Sequence, residues 1–150
     1  MLNQQDIEIN TNGLFKLLAS VQILAIKTQN FHWNVQDQRF EMLHELFGKQ
    51  YAALAGNVDE IAERIRILGM PVKGAASGYL QNSIIAEAGG LSAGNAMLAA
   101  LLNDHQLIIN FLRDLIDEVS NTRDQGTLDF LISQLQYHEK TCWFLSSHII

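Results

Sequence analysis

The chain is poor in the residues that staple, kink or anchor a protein. Only one of its 150 residues is cysteine, Cys142, so no disulfide can close within the chain. Only one is proline, Pro71, which leaves long stretches free to run as uninterrupted helix. Basic residues number 10 against 16 acids, for a net charge of −6. That balance argues against a surface dedicated to nucleic acid or anionic lipid. No run approaches the ~20 consecutive apolar residues of a membrane span, and the N-terminus lacks the basic, apolar pattern of a secretory leader. Cytoplasm is therefore the expected compartment, with no membrane partner. A phosphate loop, a nucleophile elbow and a CxxC pair are also missing.

What the chain has in quantity is apolar residue at helical spacing. With 48% hydrophobic content, residues 1–150 suffice for a single domain with a sizeable core. Residues 1–10 are polar and mildly acidic and read as a short tail. A first helix is expected from an Asn10–Asn12 cap to about Val35, with Leu14, Leu17, Val21, Leu24, Thr28 and Phe31 on its stripe. Gln36–Gln38 is a short turn, which makes the next helix an antiparallel neighbour. That helix carries Leu43, Phe47, Tyr51, Leu54, Val58, Ile61 and Ile65, and stops at Gly69 before Pro71. Residues 70–92 form a connection with one short helix around Tyr79–Ala88. A third long helix, capped by Ser92, carries Leu98, Leu101, His105, Ile108, Leu112, Leu115 and Val119. A fourth, capped by Thr127, carries Leu128, Leu131, Leu135, His138, Cys142, Leu145 and Ile149. The expected fold is all-α, a ferritin-like four-helix bundle with a short helix between its halves. His105 and His138 are expected in the core, with Trp33 and Trp143; His148 is expected at a frayed end.

The chemistry concentrates between Asn30 and Arg66. His32 precedes the first turn and His44 follows it, so both lie at one end of the bundle. Beside the apolar stripe of the second helix runs another row: His44, Gly48, Ala52, Ala55, Asp59 and Glu63. Its ends are metal-ligand types and its middle is nearly bare. His44 and Asp59 are about 22 Å apart on a straight helix, against metal–ligand bonds of about 2.0–2.2 Å. They can share a metal only if a second copy supplies one of them. An antiparallel pair centred between Tyr51 and Ala52 places His44 level with Asp59 of the other copy, and two-fold pairing is the commonest interface symmetry. Imidazole with carboxylate suits iron or zinc better than magnesium or calcium. The competing readings are plain: helix-edge histidines bonded to carbonyls, and a solvated face with Glu63 near Arg66. A di-iron centre inside one bundle needs two Glu-x-x-His motifs. This chain has only Glu41-x-x-His44.

The segment Asn30–Asn34 (NFHWN), His44-Glu45, and Asp59 followed by Ile61-Ala62-Glu63-Arg64 resemble the Dps family of mini-ferritins. His138-Glu139-Lys140 with Trp143 and Leu145 agree. The resemblance implies a dodecameric shell that binds ferrous iron at dimer interfaces, oxidises it, usually with hydrogen peroxide, and stores ferric mineral. His32 and His44 would come from one subunit, Asp59 and Glu63 from its mate. The family usually has an acid four residues after the second histidine, where this chain has Gly48; Glu41 is the candidate substitute. Asp124 and Asp129 would line an iron-entry pore. Some relatives coat DNA through a basic tail, but residues 1–13 hold none, so DNA binding at neutral pH is not expected. The alternative is a DNA-compacting or scaffold protein whose metal site is vestigial or structural, with zinc as its metal.

Overall fold

The computed structural model describes all 150 residues. Its five helices are α1 (Gln4–Asn34), α2 (Phe40–Ile67), α3 (Ala76–Asn82), α4 (Gly94–Ser120) and α5 (Gln125–His148). The only bridge of strand type is the isolated contact of Gln36 with Ala93. The fold is thus all-α, as the helical spacing requires. α1 packs on α2 and α4 on α5; α1 also meets α4 and carries the short α3. Between them lies a core of Leu14, Leu17, Leu24, Phe31, Leu43, Phe47, Leu54, Ile61, Leu98, Leu101, Leu112, Leu131 and Leu145, among others.

α1 starts well before the expected Asn10–Asn12 cap, and most of the supposed tail of residues 1–10 is its first turns. Asn3 is the cap: its side chain accepts from the Asp6 N–H at 2.8 Å, and the Asp6 carboxylate sits where the helix dipole favours it. Asn10 is buried mid-helix, where its amide donates to Asp124 at 3.1 Å. α1 is long and apolar enough to pass for a membrane span by composition. Its apolar face is instead committed to the core, together with buried Ser20, Lys27 and Thr28.

The connection departs from expectation in register. α3 ends at Asn82 rather than Ala88 because the backbone turns extended at Ser83. There the Ser20 hydroxyl takes the Ile84 N–H at 3.0 Å, diverting a donor that a helix would use. Lys27 reaches from α1 to the Ala86 carbonyl (3.2 Å) and to Asp104 on α4 (2.8 Å), pinning the loop to the bundle. Ser92 does not cap α4; Ala93 holds that position without a side-chain bond. The Asp37 carboxylate lies close against Gly94 in the first turn of α4. α5 is capped by Asp124, not Thr127: the Asp124 side chain accepts from the Thr127 N–H at 3.0 Å. Gly69, at φ 89°, ends α2 in the left-handed conformation that suits glycine. Trp33 and Trp143, expected in the core, are 62% and 65% exposed. Each lies off the buried stripe, one residue beyond His32 and Cys142 respectively.

Candidate metal site

The α1–α2 hairpin sets two histidines against each other. The turn is held by Arg39, whose guanidinium grips Asp37 at 2.8 and 2.9 Å, the His148 carbonyl at 2.5 Å and Asn95 at 3.1 Å. This grip holds the Asp37 carboxyl down at about 2, with the Arg39 bonds as the main cause. With the hairpin fixed, His32 in the last turn of α1 stacks on His44 in the second turn of α2. Their ring centroids are 3.8 Å apart and their planes within 16°.

The hydrogen bonds of the pair are reciprocal. His32 Nδ1 lies 2.6 Å from the His44 carbonyl, and His44 Nδ1 lies 2.7 Å from the His32 carbonyl. A carbonyl only accepts, so each Nδ1 must carry the proton and donate. In the neutral ring that leaves the lone pair on Nε2, the tautomer and orientation a metal-binding imidazole needs. Phe40 stacks on His44 at 5.1 Å and Tyr51 leans on His32 at 5.4 Å, so four rings form one column. The carbonyl bonds weighed as a competing reading are therefore present, and they fix the ligand tautomer at the same time.

Gly48 has a reason within the chain. A Cβ added there would stand 3.0 Å from both Cε1 and Nδ1 of His32. The missing side chain is what lets the His32 ring lie against α2.

The carboxylates lie at the other end of α2. Asp59 and Glu63 are both exposed and one helical turn apart. The Glu63 carboxyl is pushed up by its hydrogen bond with Asp59, then by the Asp59 charge, burial and the charge of Glu60. Two carboxylates set one turn apart repel each other, and a cation between them would relieve that repulsion. Glu63 makes no ion pair with Arg66, which donates instead to the Met70 carbonyl at 3.2 Å. No three potential ligands converge within one chain. The structure thus pairs His32 with His44 and Asp59 with Glu63, and keeps the two pairs apart.

Glu41 does not join the histidines. It lines an open recess with Gln38, Arg39, Met42 and Glu45, to which neither imidazole contributes. Asp124, expected at a pore, is 4% exposed and caps α5. Burial pushes its carboxyl up, but bonds from Thr127 and Asn10 and the charge of Arg64 together hold it down. Only Asp129 of that pair is exposed. His105 and His138 lie in the core as expected, each fully buried. Sequence reasoning missed the Asp37–Arg39 clamp, although Asp-x-Arg inside a short turn is a signal for it.

The family described as Ferritin-like domain matches residues 11–150. A protein of Nostoc sp. described as an uncharacterized low temperature-induced protein is 40% identical over 140 residues, covering 92% of this chain and 78% of that protein. DNA protection during starvation protein 2 of Bacillus anthracis is 32% identical over 148 residues, 99% of both chains. Among solved structures, a Dps protein from Bacillus brevis superposes with a TM-score of 0.94 at 27% identity, covering 99% of this chain and 100% of that one. A Vibrio cholerae Dps, titled as a member of a broad superfamily of ferritin-like diiron-carboxylate proteins, gives 0.93 at 29% identity, covering 97% and 92%.

Proposed function

The chain belongs to the Dps family of ferritin-like proteins, and on that premise we propose that it is a cytoplasmic ferroxidase that stores iron. Ferrous iron is the substrate. It binds between His32 and His44 of one subunit and Asp59 and Glu63 of a two-fold mate, within a dodecameric shell. One hydrogen peroxide takes one electron from each of two ferrous ions and, with two protons, leaves as two waters. The ferric product passes into the shell as mineral. Consuming peroxide this way withholds it from one-electron chemistry that releases hydroxyl radical.

The observation that carries this reading is the reciprocal His32–His44 bonding. Structural histidines at a helix edge do not need both Nε2 lone pairs left free on two stacked rings. Here each Nδ1 is occupied, so the pair presents two neutral donors of the borderline kind that iron and zinc accept. The exposed Asp59–Glu63 pair supplies the hard, anionic half that holds the ferric state better than the ferrous. Gly48 in place of the family's usual acid leaves one carboxylate fewer, so one iron per site is held well and the second more loosely. A site kept only as a structural zinc centre is the reading this departure favours next.

Co-assembly separates the intersubunit site from alternatives within one chain. His44→Ala and Asp59→Ala proteins, each inactive alone, are unfolded together and refolded. A mixed interface keeps one intact site, so peroxide-dependent ferrous oxidation should return in part. Normal assembly with no recovered oxidation would overturn the assignment. Zinc binding without iron turnover in the wild type would favour the structural centre.

A further inference from the structure

One guanidinium ties the two halves of the bundle together at the histidine end. α2 begins without a side-chain cap: Arg39 holds the cap position at φ −90° and ψ 30°, and its carbonyl accepts the Leu43 N–H at 2.9 Å. What fixes that turn is the Arg39 side chain, only 16% exposed. Its bonds to Asp37 stay within the hairpin, but those to Asn95 and to the His148 carbonyl reach the first turn of α4 and the last of α5. Asn95 is held in turn, donating to the Ile150 backbone oxygen at 2.7 Å and accepting the Ile150 N–H at 3.3 Å. The Gln36 N–H donates to the Ser92 carbonyl at 2.8 Å, which ties the hairpin to the start of α4 through the backbone as well. A planar guanidinium suits such a junction, because its donors point in fixed directions where those of an ammonium do not.

We propose that Arg39 is a positioning residue for the metal-binding imidazoles: by fixing the start of α2 against α4 and α5, it keeps His32 and His44 in their Nδ1–H tautomers. The inference rests on the metal site proposed above. His44 lies a little over one helical turn beyond Arg39, so a small rotation of the first turn of α2 carries through to its ring and its carbonyl. The two reciprocal bonds, at 2.6 and 2.7 Å, leave little slack, and hydrogen bonds weaken steeply once misaligned. When either is lost, that Nδ1 has no fixed acceptor and the proton is free to move to Nε2. A protonated Nε2 offers a metal no lone pair. The side-chain bonds of Arg39 go to Asp37, Asn95 and His148, none of them to either imidazole. Removing its positive charge would by itself favour a bound cation, so a loss of metal affinity without Arg39 reports geometry rather than charge.

The test compares assembled wild type with Arg39→Gln. Imidazole nitrogen NMR shifts of isotopically labelled histidine, read in metal-free protein, report each tautomer directly. Arg39→Gln should give His32 and His44 mixed tautomers and leave the buried His105 and His138 as they are. Zinc affinity should fall about 10-fold to 100-fold, the usual cost of losing the outer partner of a metal ligand. Asn95→Ala should act in the same direction by less. The double variant should be no weaker than Arg39→Gln alone, because Asn95 acts through the same guanidinium. Should Arg39→Gln fail to assemble, Arg39→Lys, which keeps the charge and loses the fork, carries the comparison. The proposal is overturned if His32 and His44 keep their Nδ1–H tautomers in the variant, or if zinc affinity at these histidines is unchanged. It is equally overturned if all the histidines are disturbed alike, or if the losses from Arg39→Gln and Asn95→Ala add in full. Were the wild type to bind zinc away from these histidines, the metal site itself would fall, and the tautomer comparison would still decide the role of Arg39.

Discussion

His105 and His138 face each other across α4 and α5 with their Nδ1 atoms 2.8 Å apart, both fully buried, and neither Nε2 has a partner. One ring must donate and the other accept, so at least one is neutral. Burial drives His138 down to about 4. Burial, and then the charge of His138, push His105 well below its ordinary value.

Acid should therefore loosen the α4–α5 half first. A histidine whose folded value is depressed stabilises fully above its unfolded value of about 6.5. That stability drains as pH falls and is gone below the folded value, about 4 for His138. For His138 alone the shift corresponds to on the order of 3 kcal/mol. The thermal midpoint should fall steadily from pH 6.5 to 4.5, and far less in a His105→Leu/His138→Leu variant. Asp37, held at about 2, acts only below the ordinary carboxylate range and so cannot mimic this window. Equal pH profiles for wild type and variant would show that the imidazole pair is not the cause.

Gly48→Ala should reveal the contact with His32. In an exposed helix interior, alanine gains about 1 kcal/mol over glycine. Here the new Cβ meets the His32 ring at 3.0 Å, so that gain should vanish or reverse. Zinc titration should weaken with it, because the ring must turn away from His44. A variant both more stable and equally avid would show that the ring gives way freely. Gly48→Asp adds a carboxylate and the same crowding, so its effect on iron affinity reads the difference between the two.

Asp124 and Asp129 should behave oppositely. Asp124→Ala removes a helix cap and the partner of Arg64 at once. Loss of a cap alone costs about 1 kcal/mol, and an unpaired buried group adds to it. Denaturant midpoints should drop with little direct effect on uptake by the protein that remains folded. Asp129→Asn should leave stability unchanged and slow iron uptake at low salt, where a carboxylate near an entry route attracts cations. Unchanged uptake in Asp129→Asn would remove the pore altogether.

Duplex DNA should not be retarded at pH 7.5 and physiological salt. Non-specific binding depends on lysines and arginines neutralising phosphates, and this chain has a net charge of −6 with no basic residue among its first 13. The N-terminal residues are also ordered into α1 rather than free to reach out. Protection of DNA in the presence of iron and peroxide would then arise from chemistry, not coverage. A stable complex with metal chelated would restore the DNA-compacting alternative.

The helices were legible because apolar residues fall at steps of three and four, and the α1–α2 and α4–α5 pairing because the turns between them are short. Helix ends were less so. Asn10 and Asn12 offer cap chemistry equal to that of Asn3, and only the tertiary bond from Asn10 to Asp124 decides that the helix runs through. Thr127 and Asp124 compete for one cap in the same way. Trp33 and Trp143 show the limit of reading bulk as burial: one helical step of about 100° moves a side chain off the packed stripe. At the site, spacing alone placed the two histidines together. The carbonyl bonds that fix their tautomers depend on how two backbones meet, which no residue count specifies.

The length of α2 between its two ligand pairs has a kinetic meaning. On the proposed reading a solitary subunit owns both halves of a centre and can never bring them together. Oxidation would then be second order in free subunits: dilution below the dissociation threshold should depress specific activity steeply, while leaving each helix intact. Newly made chains would be redox-silent until they meet a twin, so iron would find a working centre only where an interface has already formed.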